Sequence, residues 1–165
     1  MPNAIFFHRI SRWFYLREIP LIPKICQLII FLIYSTKLPP NVSIGKNTSF
    51  SSLGISVVII DNAVLGENCS IGFDAKIVGK SPYKEVPIIG NNVYIGPGSV
   101  ICGAVIIEDN VIIAPNAVVT KSVPEGSIVG GIPAKIIGHV SDLDYDIFNN
   151  ESYIEGYVEF MSKKS

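Results

Sequence analysis

Residues 95–119 read IGPGSVICGAVIIEDNVIIAPNAVV. Ile95, Ile101, Ile107, Ile113 and Val119 stand six residues apart, and four positions after each comes Ser99, Val105, Val111, Ala117 or Val123. Stepping back by sixes, the phase holds through Ile89, Ile77, Ile71, Leu65, Ile59 and Leu53, and only Tyr83 breaks it. The companion positions are Val57, Ala63, Cys69, Ala75, Ser81, Pro87 and Val93, all but Pro87 small or β-branched. Helical periodicity cannot sustain such spacing over this length. Six residues make a short strand and a turn, with the aliphatic residue pointing inward and the small one filling the space beside the corner. A single rung buries its apolar face only against the next, so the rungs must stack. Glycine and asparagine gather between the strands (Gly66-Glu67-Asn68, Gly90-Asn91-Asn92, Gly96-Pro97-Gly98, Asp109-Asn110), where the backbone has to turn. The pattern predicts an all-β solenoid whose core is one side chain wide and is lined by Leu53 through Val119. The first repeats, near VSIGKNTSF at 42–50, are out of phase by three residues, which predicts a bulge or altered turn between Phe50 and Leu53.

Composition supports one core. The chain has 165 residues, 48% hydrophobic and only 16% charged, rich in isoleucine and valine. A net charge of −1 and the lack of a basic patch with interleaved aromatics argue against nucleic acid as a partner. Cys26, Cys69 and Cys102 show neither metal spacing nor a disulfide framework, and Cys69 occupies a small-residue slot of the repeat.

The two ends depart from the repeat. Residues 1–38 carry Arg9, Arg12, Arg17, Lys24 and Lys37 against Glu18, about +4 by count, which leaves about −5 for the remainder. Phe6, Ile10, Trp13 and Arg17 follow helical spacing, Pro20 and Pro23 interrupt it, and ICQLIIFLIYST forms a second apolar segment. No small-residue cleavage site marks a signal peptide. The stretch between Lys24 and Lys37 amounts to roughly 18 Å of helix against a hydrocarbon core of about 30 Å, too short to span. Two readings remain: helices packed on the protein or a sister chain, or peripheral contact with a membrane surface through residues 1–38. Residues 139–165 are acidic, and Ile154, Tyr157, Val158 and Met161 predict a closing amphipathic C-terminal helix, weakened by Gly156. The division expected is therefore a helical segment over 1–38, a β-helix over 39–138, and an acidic tail over 139–165.

LGENCSIG at Leu65–Gly72, VPIIGNNVYIGPGSVICG at Val86–Gly103 and VPEGSIVGGIPAKIIG at Val123–Gly138 resemble the hexapeptide-repeat acyltransferases. Within them the chain looks most like the serine acetyltransferase branch and its relatives in polysaccharide clusters. The last stretch resembles the branch's terminal coil, where a Gly-x-Pro-Ala-(Arg/Lys) signature closes the solenoid. The resemblance implies a left-handed parallel β-helix of triangular section, three hexapeptides per coil, an exception to the usual right-handed crossover. It also implies a homotrimer with acetyl-CoA in the grooves between neighbouring solenoids, and a cytoplasmic enzyme, with the inner face of the membrane as a further option.

Site residues follow from the same resemblance. Gly79 and Gly103 would let pantetheine approach closely, with Ala114 and Pro115 on a later corner along the same groove. Lys121 and Lys135 would meet the coenzyme A phosphates. Val78–Ile88, VGKSPYKEVPI, is the one place where the repeat loses its pattern; in relatives an excursion here helps to build the site. The spacing from Ile77 to Ile89 is still twelve, so the excursion would replace one hexapeptide. Acetyl transfer to a hydroxyl needs a proton acceptor and an oxyanion donor. The Asp-His pair of serine acetyltransferases, aligned without gaps, falls on Ser52 and Leu53, and Val86-Pro87 stands where a second family histidine precedes a proline. His8, which a helix of an adjacent chain could supply, and His139, after the terminal coil, are the chain's histidines, and both read better as packed or structural. Three-histidine metal sites of the carbonic-anhydrase-like solenoids do not fit. Glu85 and Asp61 are left as carboxylate bases, each equally readable as a surface charge, and Tyr83 as a hydrogen-bonding or stacking partner of the substrate. A neutral amine needs no prior deprotonation, so the expected function is acetyl transfer to a sugar or sugar nucleotide for surface polysaccharide. The alternatives are a divergent serine O-acetyltransferase and a non-catalytic trimeric scaffold.

Overall fold

The computed structural model describes residues 2–82, 84–144 and 147. Helix α1 spans Ala4–Tyr15 and α2 spans Leu21–Tyr34. Asn3 caps α1, its side chain accepting from the Ile5 amide at 3.2 Å. Pro20 is the N-cap of α2, and Pro23 sits inside its first turn rather than interrupting it, because that turn's amides have no intrahelical acceptor to lose.

The solenoid follows in short parallel strands that return to three faces. Face 1 holds β1 (Ser43–Ile44), β4 (Val64–Leu65), β7 (Ile88–Ile89) and β10 (Ile106–Ile107). Face 2 holds β2 (Ser49–Phe50), β5 (Ser70–Ile71), β8 (Tyr94–Ile95), β11 (Ile112–Ile113), β13 (Ser127–Gly131) and β14 (Ala134–His139). Face 3 holds β3 (Val58–Ile59), β6 (Lys76–Val78), β9 (Val100–Cys102) and β12 (Val118–Val119). The winding is that of a left-handed parallel β-helix. Lys37 already bridges to Val58, so the ladder begins just inside the segment assigned to the N-terminal helices.

The six-residue period is the core. Ile59, Leu65, Ile71, Ile77, Ile89, Ile95, Ile101, Ile107, Ile113 and Val119 are all at most 2% exposed, and Ala63, Cys69, Ala75, Val93, Ser99, Val111 and Ala117 fill the space beside them. Stacking in register makes this possible: Ile71, Ile95 and Ile113 are successive Cα partners on face 2. The corners have one recurring device. The third residue after a buried aliphatic takes φ between 52° and 69° at Asn62, Asn68, Asp74, Asn92, Gly98, Asn110 and Asn116. Asparagine tolerates this left-handed backbone better than other side chains that carry a Cβ. Its amide also bonds the next coil, as Asn47 Nδ2 does to Asn68 Oδ1 at 3.1 Å and Asn92 Nδ2 to Asn110 Oδ1 at 3.2 Å.

Two expectations about phase are corrected. Leu53 is not a rung: it lies in a 3-10 turn, Ser51–Gly54, with φ 63°, and only packs against the core from outside. The inward residue of that coil is Phe50, which pairs with Ile71. Leu53 has the right spacing by coincidence, because the enlarged corner inserts three residues between Phe50 and Ile59. The excursion, likewise, does not replace a hexapeptide. Val64 pairs with Ile88, and Lys76 with Val100, each 24 residues on, whereas Ile88 pairs with Ile106 after 18. The chain leaves face 3 after β6 and re-enters at face 1, so six residues loop outward and the phase survives.

The terminal stretch forms a hairpin in which β14 runs antiparallel to β13, giving face 2 a last strand that no further coil extends. Ser141 and Asp142 lie in a short 3-10 turn. The amphipathic helix expected within 139–165 falls outside the described residues, as does Tyr83.

Candidate active site

Three edges join the faces, and the predicted site residues divide between two of them. The edge from face 3 to face 1 carries Asp61, then Gly79, Lys80 and Glu85, then Gly103 and Lys121 in successive coils. Gly103 donates its amide to the Val78 carbonyl at 3.0 Å, and the Cys102 thiol reaches the Gly79 carbonyl at 3.7 Å, so the two glycines are stacked neighbours. Gly103 has φ +103°, a conformation that excludes other residues, and a Cβ there would meet only the Lys80 stem at 3.5 Å. Gly79 is half-buried and Gly103 buried, and neither sets a side chain on this edge. Glu85 and Lys121 point into solvent.

Ala114, Pro115 and Lys135 belong to a different edge, from face 2 to face 3. Ala114 donates to Val129 at 2.8 Å, Asn116 to Pro97 at 2.9 Å, and Lys135 is opposite Gly130. The later corner that carries Ala114 and Pro115 is thus a different edge of the same chain from that of Gly79 and Gly103. An edge recurs only after a whole coil of three faces, and Pro115 follows Gly103 by two. The two sets flank face 3, whose outward Val58, Lys76, Val100 and Val118 are half-buried.

At the foot of the first edge lies a cleft of about 420 Å³ lined by Gln27, Phe31, Thr36, Lys37, Leu38, Pro39 and Asp61. Among the described residues the one ion pair is Lys76 with Asp74 at 2.8 Å, so Lys37 and Asp61 line the cleft without neutralising each other through a direct pair. Reasoning from repeats picked out Asp61 but missed Gln27, Thr36 and Lys37. The readable signal was the basic residue in STKLPP immediately before the first rung.

The histidines are elsewhere. His8 is 1% exposed within α1, its Nε2 lies 3.1 Å from the Pro39 carbonyl, and its Nδ1 is buried with no partner. Burial pushes its pKa down to about 4, with Arg12 and Arg9 adding to the effect against the Pro39 bond. It takes the packed role. His139 is exposed, opposite Ser127 at the far end of face 2. Ser52, φ 47°, and Leu53, the positions aligned with the Asp-His pair, occupy the enlarged corner, where the Ser51 hydroxyl accepts from the Phe73 amide at 3.0 Å. No group of three or more potential metal ligands occurs among the described residues.

A stacked triangular coil with one interrupted edge is the architecture the sequence resemblance implied, and comparison with known proteins agrees. The bacterial transferase hexapeptide (six repeats) family matches residues 87–121. This chain is a hexapeptide-repeat protein of serine acetyltransferase-like type. The hexapeptide-repeat protein is 32% identical over 137 residues to a serine acetyltransferase of Synechococcus elongatus, covering 82% of this chain and 56% of that protein. It is 34% identical over 137 residues to one of Staphylococcus epidermidis, covering 82% and 64%. Among solved structures it superposes on the Brucella abortus serine acetyltransferase in complex with coenzyme A with a TM-score of 0.79 and 30% identity, over 82% of this chain and 55% of that one. It thus spans between 55% and 64% of the length of these relatives.

Proposed function

We propose that this protein is an acetyl-CoA-dependent acyltransferase whose acceptor is a small hydroxyl-bearing amino acid of the serine class. The observation that carries the reading is the likeness to serine acetyltransferases across 82% of the chain, one of them solved with coenzyme A. It favours the serine alternative over the polysaccharide sugar, for which these relatives give no support. In a homotrimer, the groove between neighbouring solenoids takes one edge from each chain. Gly79, Gly103 and Lys121 then form one wall, and the neighbour's Ala114, Pro115 and Lys135 the other. This resolves the split between the two edges. Pantetheine runs along the edge at Gly79 and Gly103, where no side chain stands in its way, and Lys121 and Lys135 face the phosphates. The apolar outward residues Val64, Ile88 and Ile106, stacked in register on face 1, give the assembly a surface to bury.

The acceptor sits at the foot of the edge, in the cleft between α2 and Asp61. A zwitterionic amino acid meets Lys37 with its carboxylate and Asp61 with its ammonium group. Its hydroxyl oxygen attacks the thioester carbonyl, a C–O bond forms, the C–S bond breaks, and the proton passes by way of a base to the departing thiolate. Glu85, on the excursion one coil further along the same edge, is the carboxylate proposed to take that proton, and Tyr83, outside the described residues, stays a candidate hydrogen-bonding or stacking partner of the substrate. Acetyl-CoA as donor supports a cytoplasmic reaction.

Release of coenzyme A thiol, measured with serine and with glucosamine-type amino sugars, tests this. The account expects release that depends on serine and saturates; release with amino sugars alone overturns it. A second reading rests on Ser52 and Leu53 standing where the branch carries its acid–base pair: a scaffold that has kept the fold without the chemistry. Acetyl-CoA binding or trimerisation with no release towards any acceptor selects that reading.

A further inference from the structure

The helical hairpin presents an outward face that the solenoid does not cover. On α1 the buried residues Ala4, His8 and Ser11 fall on one side, and Phe6, Arg9, Trp13 and Leu16 on the opposite one. On α2, Pro23, Cys26, Ile30 and Tyr34 face inward, while Leu21, Lys24, Ile25, Leu28 and Leu32 face out. Leu16, Leu21 and Leu32 are 64%, 65% and 70% exposed. So many large apolar side chains on adjoining helices make a patch of the kind that marks an interaction surface.

Its charges say what covers it. Arg9, Arg17 and Lys24 are exposed on or beside this face, and the Arg17 guanidinium stacks over Trp13 at 3.5 Å from the ring centroid. The hairpin carries Arg9, Arg12, Arg17 and Lys24 against Glu18, whereas the rest of the chain is net acidic. A second copy of the hairpin would bring the same cations against these, an isologous contact with like charges opposed. Anionic headgroups above a hydrocarbon layer match both features at once. No described helix is long and apolar enough to cross a membrane, so the hairpin can only lie in the interface plane.

We infer that α1 and α2 dock the protein onto the surface of an anionic lipid bilayer, their apolar faces in the headgroup–acyl boundary and Arg9, Arg17 and Lys24 among the headgroups. The inward faces are held by the first coils, through Ile30 and Tyr34 in the core and Arg12 Nη1 on the Val42 carbonyl at 2.9 Å. Docking therefore sets the solenoid on the membrane by its N-terminal end, with the long edges free.

The test is co-sedimentation of the full chain with vesicles of pure phosphatidylcholine and vesicles in which one lipid in three is phosphatidylglycerol, with molar mass measured by light scattering alongside. The expected result is binding to the anionic vesicles, weakened at least tenfold by high salt and by the double substitution Leu28→Glu/Leu32→Glu, at unchanged molar mass. Both positions are exposed, so the fold is not at stake, and Arg9→Glu/Arg17→Glu gives an independent loss that does not touch the apolar residues. Equal binding by all variants, no binding to anionic vesicles, or a fall in molar mass in Leu28→Glu/Leu32→Glu overturns the inference, the last because a sister chain would then be the occupant.

Discussion

Replacing Ile95 by alanine probes the stack where it is least able to adapt. Ile95 is 0% exposed, with Ile71 on one side and Ile113 on the other. Its coil is clamped by Gly72 N to Ile95 O at 2.7 Å and Gly96 N to Ile113 O at 2.8 Å. Ile95→Ala removes three carbons, about 2.4 kcal/mol of transfer free energy at ~0.8 kcal/mol each. The space left cannot close by sliding a helix or turning a loop, because the ladder bonds fix the spacing between coils. A cavity term of about 1.5–2 kcal/mol follows, for a total near 4 kcal/mol, towards the top of the range for such truncations. Ile55→Ala is the control: just after the 3-10 turn of the enlarged corner, outside the stack and 46% exposed, it should cost less than about 1 kcal/mol. Urea unfolding at fixed protein concentration, followed by far-ultraviolet circular dichroism, reads both. Equal losses for the two variants, or less than about 1.5 kcal/mol for Ile95→Ala, would refute the inward stack.

Further outcomes follow from the same geometry. A Cβ at Gly96 would lie 2.5 Å from the Pro115 nitrogen and 2.7 Å from the Ile113 oxygen, so Gly96→Ala must push two coils apart, at a cost of about 3 kcal/mol in the same unfolding assay. At Gly126, φ +69°, nothing lies within 4 Å, so Gly126→Ala bears only the left-handed backbone penalty, about 1–2 kcal/mol. His8 has its pKa lowered by burial to about 4, so between the ordinary value of 6.5 and about 4 the unfolded chain binds a proton that the folded chain refuses. Stability is therefore lost as pH drops through that window, by up to about 3 kcal/mol from this group. Urea titrations at pH 7 and pH 4.5 should show a steeper loss in the wild type than in His8→Gln.

The repeat was legible because each hexapeptide carries its own instruction, an inward aliphatic and a corner residue that accepts positive φ. Where that local code was complete, from Ile59 to Ile77 and from Ile89 to Val119, phase and burial agree. Leu53 misled for a physical reason. Spacing alone cannot tell a rung from a residue in an enlarged corner, and the deciding contact, Phe50 on Ile71, lies one coil away in sequence. The excursion was visible as a loss of pattern, but whether it replaced a face or bulged from one depends on the pairing of Ile88 with Val64. The site was less legible still. Gly79 and Gly103 fall on one edge because they are a coil apart, while Ala114 and Pro115 fall on another for want of the same count. Lys37 and Gln27 join Asp61 only because α2 folds back beside the first coil.

The central claim is that the edge carrying Gly79, Gly103 and Lys121 holds acetyl-CoA. Calorimetric titration of acetyl-CoA into two variants tests it most directly: Ala104→Trp, which sets a bulky ring on that edge at an exposed position beside Gly103, and Glu67→Trp, equally exposed on the edge between faces 1 and 2. Wild type and Glu67→Trp are predicted to bind alike, with Ala104→Trp at least about tenfold weaker, a difference of roughly 1.4 kcal/mol. Equal binding by both variants, or none by the wild type, contradicts the account.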